Sequence, residues 1–551
     1  VLRAITAFVT ALVLAGSGSP RAWCRHATVA PALPASVSAA AEAIYRRGIL
    51  PDGTPLRGER DGAEPVEGAA AACVNCHRRS GLGMIEGQSV VPPVTGKHLF
   101  HIGEGRDAEM SMPHPEATSA NRAAYTEVTL SRALREGVNP EGRRFAFLMP
   151  RFALDDTAMA LLIGYLKQLS HAPSPGVGVD TLRFATIITP DADPVKRQAM
   201  LSVLEQYFGR ENTFYHGESP PLQPSRGAQA HAQHRWQLHV WTLTGEPASW
   251  ETQLHERLHK EPVFAVISGI GGSTWAPVHR FCESESIPCL FPNVDLPLVA
   301  QQDFYTVYYS KGVLLEAELI ARALQDPPPA KRARRVIQIF RSGDIGADAA
   351  AALQALATTA GLITVNRPLR VGTAAAIAAA MKNTAADDAI VLWLRPEEIA
   401  QLRGAPPDGA SVFLSGIMGG LEHTPLPDPW RGAARMTFPY ELPGRGATLL
   451  NYPIGWFRLH NVPILDARTQ VNTYIACSIV ADTFGLMLDN FVRDYLVERL
   501  EATLDSRLVV GYYSRLGLAP GQRFASKGGY LVHFTGPLGT PIAAASEWMV
   551  P

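Results

Sequence analysis

The sequence has almost no net charge. Over 551 residues, 50 Lys and Arg stand against 51 Asp and Glu, leaving −1. That balance gives no support for nucleic-acid binding or a polybasic membrane surface. Cysteine is scarce: Cys24, Cys73, Cys76, Cys282, Cys289 and Cys477 are too few for a disulfide-built scaffold. After the N-terminus no apolar run approaches the roughly 18 residues of a membrane span, so a soluble mature chain is expected. GxSxG does not occur, whereas His255-Glu256-Arg257-Leu258-His259 has the HExxH spacing. The turn Gly269-Ile270-Gly271-Gly272 does not match GxGxxG. Serine-hydrolase and dinucleotide chemistry therefore have no motif here, and no catalytic constellation is assigned. The composition, 46% hydrophobic and 18% charged, is that of folded domains, and the length calls for two or three.

What is present begins with a targeting signal. Arg3 precedes 13 apolar residues, Ala4 to Gly16, and small residues follow. This is the pattern of a signal peptide, assigned to residues 1–22 with the cleavage point open, and it implies export to a Gram-negative periplasm. Trp23 before Cys24 is too bulky for a lipoprotein signal.

The informative stretch is Cys73-Val74-Asn75-Cys76-His77, the Cys-x-x-Cys-His attachment site of c-type haem. Two thiols one helical turn apart can each add across a vinyl group of one porphyrin, and the adjacent imidazole can reach the iron. A zinc half-site would need two further ligands at ordered spacing, and no second CxxC exists. A thioredoxin-like pair would follow a βαβ pattern, whereas an alanine-rich helical stretch precedes this one. Covalent haem attachment takes place outside the cytoplasm in bacteria, which agrees with the export signal.

Helices are expected over Ser38 to Arg47, Tyr125 to Glu136 and Asp155 to Leu169. Iron held by one histidine in an electron carrier commonly takes a thioether as its sixth ligand. Met149 fits best, because Pro150 stiffens the chain directly after it. Met84 lies too close to His77, Met159 falls on an apolar helical stripe, and Met110 and Met112 are in reserve. His98, His101 and His114 leave bis-histidine ligation open.

Residues 36–170 resemble a class I cytochrome c. The likeness is carried by an N-terminal helix, CxxCH, Pro92-Pro93-Val94-Thr95-Gly96, a helix ending at Gly137, and Met149-Pro150 before a terminal helix with Tyr165-Leu166. It implies an all-α domain with one covalent haem c. It also implies His77 and Met149 as axial ligands, and a carbonyl of Pro92 or Pro93 behind the histidine ring.

After a Pro/Gly/Ser-rich linker, 171–180, strands and helices alternate. Strands are expected near 182–188, 236–243, 262–268, 289–291 and 305–309, and again, beyond a triple proline at 327–329, near 335–340, 362–366, 389–394 and 411–417. A helical stretch, Ile475 to Leu504, and a β-like tail close the chain. Two such blocks mean two lobes with parallel, doubly wound sheets. Residues 181–535 resemble the type I periplasmic binding proteins of the branched-chain amino-acid-binding group. The features are the two blocks, the Ser268-to-Thr274 turn between strand and helix, Ile287-Pro288, Ser342-Gly343-Asp344-Ile345-Gly346 and the Gly528-Gly529-Tyr530 strand. The resemblance implies a ligand between the lobes, with Ser268, Ser273 and Thr274 touching it and Asp344 a weaker contact from the second lobe. Helix capping and turn formation explain those four residues equally well. Cys282 and Cys289 flank a helix-to-strand turn where a disulfide could form, and Cys477 reads as a core thiol.

Two functions are expected from this reading. One is a periplasmic monohaem electron carrier, fused to a module that senses a small organic ligand or docks a dehydrogenase or terminal oxidase chain. The other is a substrate-binding receptor of an ABC-transporter-like system with an accessory haem.

Overall fold

The structure, a computed structural model, describes residues 35–86, 89–101, 123–215, 234–298, 300, 302–328, 333–488, 490–506, 511–513 and 515–551. The signal segment, Cys24, Met110, Met112 and His114 lie outside the described residues.

The first unit is built on the Ala35–Arg47 helix, whose Ile44 and Tyr45 are fully buried. Gly48 ends it with φ +62°, and a Cβ there would fall on the Gly68 carbonyl, so only glycine fits. The Glu127–Glu136 helix opens on a capping box between Thr126 and Thr129, and Gly137 closes it in the left-handed region. The Asp156–Gln168 helix is capped by Asp155 and buries Met159, Leu162, Ile163 and Leu166, the stripe read from the sequence. It packs across the first helix, the contact at the centre of this unit's apolar core.

The unit is not all-α as expected. Strands β1 (Arg57–Glu59), β2 (Val66–Glu67) and β5 (Arg151–Phe152) form a small antiparallel sheet in the order β2-β1-β5. A hairpin joins β3 (Met84–Glu86) to β4 (Ser89–Val91). These strands are two or three residues long, too short to give a period-2 signal.

The second unit has two lobes. Lobe 1 holds five parallel strands in the order β10-β9-β8-β6-β7: β6 (Thr181–Ile188), β7 (Arg235–Thr242), β8 (Ala265–Ile267), β9 (Cys289–Leu290) and β10 (Thr306–Val307). Among the described residues lobe 2 holds seven strands in the order β12-β11-β13-β14-β15-β16-β17. They are β11 (Arg335–Arg341), β12 (Ile363–Leu369), β13 (Asp388–Trp393), β14 (Ser411–Leu414), β15 (Ala434–Phe438), β16 (Tyr530–Phe534) and β17 (Ile542–Ala544). The first five are parallel, and β16 and β17 are antiparallel. Every residue of β13 is buried, the mark of a central strand covered by helices on both faces.

Four details differ from the sequence reading. The block does not end at β14, because β15 follows. The helical stretch near 475–504 is two helices, Ala467–Met487 and Arg493–Ser506, broken where Leu488 takes φ +56°. A further helix, Pro443–Leu459, was hidden by Pro453 and by its glycines, all poor helix formers. The sheet also runs past residue 535, through β17 and the Gly529–Met549 bridge.

Among the described residues the chain passes between lobes from β10 into the Val313–Gln325 helix, from β15 into the Pro443–Leu459 helix, and from the Arg493–Ser506 helix into β16, three passages in all. At the first passage Gly312 has φ +56°, and a Cβ would meet the Asp295 carbonyl. The linker is fastened down. Ser174 donates its N–H to the Phe491 carbonyl (3.0 Å), and its hydroxyl accepts from the Arg493 N–H (3.0 Å).

Candidate functional site

Val74–His77 is a single helical turn, closed by Arg78 at φ +65°. His77 is buried, and its Nδ1 lies 3.0 Å from the Pro92 carbonyl oxygen. A carbonyl can only accept, so Nδ1 carries the proton and Nε2 keeps its lone pair. Burial pushes the imidazole pKa below its ordinary value, more than the Pro92 bond raises it, which favours the neutral, metal-binding form. The carbonyl partner is Pro92; Pro93 is buried one residue on and does not make this bond.

Cys73 and Cys76 are free, half-buried thiols. Cys73, Val74 and Met149 pack against the same apolar core. Met149 is half-buried in the turn before β5, and Phe147 and Leu148 beside it are 65% and 47% exposed. His98 is buried with its Nδ1 2.7 Å from the Thr95 hydroxyl, His101 is exposed, and Met84 opens β3. The set offers two thiols, one neutral imidazole fixed by a carbonyl, and a thioether. These donors suit a porphyrin iron.

The second site lies between the lobes. Both sheets have the order in which the first strand is flanked by the second and third, β7-β6-β8 in lobe 1 and β12-β11-β13 in lobe 2. The crevice at the carboxyl ends beside such a reversal is where open α/β sheets take ligands. Here the two crevices face a single cavity of about 850 Å³. Asp191, Gly271 and Gly272 line it from lobe 1, and Arg341, Asp344 and Arg395 from lobe 2.

Asp344 therefore reaches the cleft, but its carboxylate is gripped by Arg395, which donates from Nε (2.9 Å) and Nη2 (2.8 Å). Burial alone would raise this carboxyl, and the guanidinium more than offsets it, holding the pKa below the ordinary value. Ser273 donates both its N–H (2.7 Å) and its hydroxyl (2.6 Å) to Asp191 Oδ2. Thr274 Oγ1 accepts the Ala276 N–H (3.3 Å) at the start of the Ala276–Ser284 helix. Ser268 is fully buried with φ +60°, accepts from Asn293 Nδ2 (2.9 Å) and meets Thr473 Oγ1 (3.1 Å). Of the four sequence candidates, only Asp344 lines the cavity.

The sequence reading passed over the tyrosines. Tyr309 and Tyr513 stack with ring centres 5.0 Å apart, and Tyr440 packs on Tyr513 at 5.0 Å. Arg468 lies over Tyr440 (4.3 Å) and Tyr512 (5.0 Å) and pairs with Glu422 of lobe 2 at 3.6 Å. Tyr309, Tyr440 and Tyr513 sit at the passages between lobes, where no local motif marks them, and Arg468 reaches them from the start of the Ala467–Met487 helix. Glu316 was also missed. It is fully buried, and burial lifts its pKa to about 7 although Ser415, Thr437 and the Ile417 N–H all donate to it. It ties the helix after the first passage to Ile417 on the lobe-2 wall.

Cys282 and Cys289, the candidate disulfide pair, are free thiols in this structure and lie within hydrogen-bond reach of one another. Both are fully buried in the apolar core of lobe 1, where a thiol packs as a small hydrophobe. Cys477 is buried in the core, as read. His279, Glu283 and Asp303 lie together: Glu283 accepts the N–H groups of Phe304 (2.9 Å), Tyr305 (3.0 Å) and Thr306 (2.7 Å), His279 Nδ1 lies 2.8 Å from the Tyr308 hydroxyl, and its Nε2 lies 3.1 Å from Asp303 Oδ2.

No protein-family model matches the chain, and no curated protein sequence is significantly similar to it. Among solved structures it is similar to a fatty acid ABC transporter substrate-binding protein from Thermomonospora curvata, with 15% identity, TM-score 0.48, and coverage of 69% of this chain and 95% of that one. It is also similar to a substrate-binding periplasmic protein from Ralstonia solanacearum (12%, TM-score 0.49, coverage 66% and 99%). A third is a branched chain amino acid ABC transporter from Thermus thermophilus with bound valine (10%, TM-score 0.48, coverage 68% and 97%). Among the described residues no helix is long and apolar enough to cross a membrane.

Proposed function

We propose that this chain is a solute-binding protein of the exported, periplasmic kind that also carries an electron-transfer haem. The observation that carries the solute-binding reading is the shared cavity: two sheets open their strand-order reversals onto one space of about 850 Å³. Its walls are tyrosine rings with paired Arg and Asp groups, which suits a small polar organic ligand. Closure of the lobes would bury such a ligand between them.

The haem reading rests on the donor set of the first unit. Cys73 and Cys76 would hold the porphyrin covalently, and His77 Nε2 and Met149 would ligate the iron. Pro92 keeps the imidazole in the tautomer that leaves Nε2 free. A haem held by two such ligands passes single electrons and offers no open position for small-molecule chemistry.

A second reading keeps the haem as the main function and makes the two-lobed unit a docking module for a periplasmic dehydrogenase. It is favoured by the exposed Phe147 and Leu148 beside Met149, an apolar rim suited to brief contact with a redox partner.

Native mass spectrometry of protein purified from its own periplasm tests both. One covalent haem with a retained small molecule is the expected result. One haem with an empty cleft turns the argument to the second reading. A correctly exported chain without covalent haem sinks the haem claim.

A further inference from the structure

The loop directly after His77 is pressed against the second unit. Arg78 forms a buried ion pair with Glu501, and Glu501 also holds Arg523. Arg79 lies over the rings of Phe304 (4.1 Å) and Tyr305 (5.3 Å). Ser80 gives its N–H (3.0 Å) and hydroxyl (2.5 Å) to the two oxygens of Glu498. Leu82, two residues on, joins the apolar core of the second unit. Glu498 and Glu501 both belong to the Arg493–Ser506 helix.

That helix is part of lobe 1. Arg493 at its start donates to the carbonyls of Phe264 (3.1 Å) and Val263 (2.5 Å). The other anchor, Phe304–Tyr305, is equally fixed, because Glu283 accepts the N–H groups of residues 304 to 306.

Both anchors lead to passages between the lobes. Phe304–Tyr305 runs through β10 into Tyr308 and Tyr309, which line the cleft. Arg523 starts the segment that pairs with those same tyrosines. Its carbonyl accepts the Tyr308 N–H (2.9 Å), and Ser526 donates to the Tyr309 carbonyl (2.6 Å). Arg523 Nη1 also bonds the Phe304 carbonyl (2.9 Å), joining the two anchors. Lobe closure needs rotation about these passages. Two of the three are thus fastened to the residues that follow His77.

We propose that Arg78, Arg79 and Ser80 form a clamp that couples the setting of His77 to the opening of the cleft. The coupling rests on the haem reading above. It runs both ways, as linkage requires: whatever favours the closed lobes alters the surroundings of His77, and a charge change beside His77 alters the lobes. The side chains of Glu501 and Arg523 are only 4% and 5% exposed, so such a charge change is poorly screened along this route.

The test uses the full-length protein, with haem content counted by native mass spectrometry, and needs no identified ligand. Amide hydrogen exchange is measured after ferricyanide and after dithionite. Peptides spanning 304–312 and 523–530 are expected to differ several-fold between the two states, and the difference is expected to vanish in Arg79→Ala and Ser80→Ala. Equal exchange in the two states of haem-loaded wild type overturns the coupling and leaves the haem reading standing. A difference that survives in both variants overturns the clamp as its route. A chain without haem removes both claims at once, and the mass spectrum reports that separately.

Discussion

The two units place their chemistry in opposite ways. In the first, three donors fall within five consecutive residues, Cys73 to His77, on one helical turn. In the second, the cleft draws on strand ends and lobe passages spread from Asp191 to Tyr513. A local site is written by spacing. A distributed site is written by topology, and its residues acquire their roles only after the sheets close. The difference teaches where substitutions should act: a change in the first site removes a function outright, and one in the second redistributes load among neighbours.

The largest expected effect follows from that concentration. Cys73→Ser with Cys76→Ser leaves no thiol to bond the porphyrin, so the covalent haem mass disappears from the intact-protein spectrum. The cores of the second unit are built from its own residues apart from Leu82, and it is expected to keep its unfolding transition. Loss of both the haem and that transition would break the comparison, since the units would then not fold as separable bodies.

The next effect belongs to Glu316, whose pKa burial lifts to about 7. The native state then binds a proton that the unfolded chain has already released. Stability from this group is complete at low pH and falls as pH rises from the ordinary carboxylate range through about 7. The full loss is roughly 3–4 kcal/mol, from about 1.4 kcal/mol for each unit of pKa difference, and most of it falls between about pH 5 and 8. Denaturation midpoints of the second unit at pH 5 and 8 should show this fall, and Glu316→Gln should flatten it. An equal slope in the variant would assign the pH dependence elsewhere.

How much of this was legible follows the same division. CxxCH announced itself, and the terminal helix could be read from its 3- and 4-residue spacing. The parallel strands were legible because β6, β11 and β13 are apolar runs punctuated by helices. The short strands β1 to β5 carry no period, and the Pro443–Leu459 helix contradicts its own propensities, so tertiary packing decided both. In the cleft, Asp344 was reachable because it follows a strand. Arg395 follows the next strand of the sheet and could have been found by the same rule. Tyr309, Tyr440, Arg468 and Tyr513 gave no signal, because the passages that gather them are not local in sequence.

A middling effect sharpens the lobe-2 side. Arg395→Ala leaves the Asp344 carboxylate half-buried without its two donors, at a cost of about 1–3 kcal/mol. Asp344→Asn in the same background should recover part of that, because the stranded charge is gone. A double-mutant cycle by chemical denaturation measures the coupling. Additive losses would mean that the pair contributes nothing beyond its separate side chains.

The smallest effect decides what the Gly-Gly-Ser-Thr turn is for. Ser273 spends its N–H and hydroxyl on Asp191, which those bonds and one from Thr189 hold below its ordinary pKa against the opposing pull of burial. If that bond is its whole role, Ser273→Ala removes one exposed hydroxyl contact and costs lobe 1 about 0.5–1 kcal/mol. The small molecule retained in native mass spectrometry should be unchanged, because Gly271 and Gly272, not Ser273, line the cavity. Loss of that molecule at unchanged stability would place the hydroxyl on the ligand in the closed state, with Asp191 its partner only while the lobes are apart.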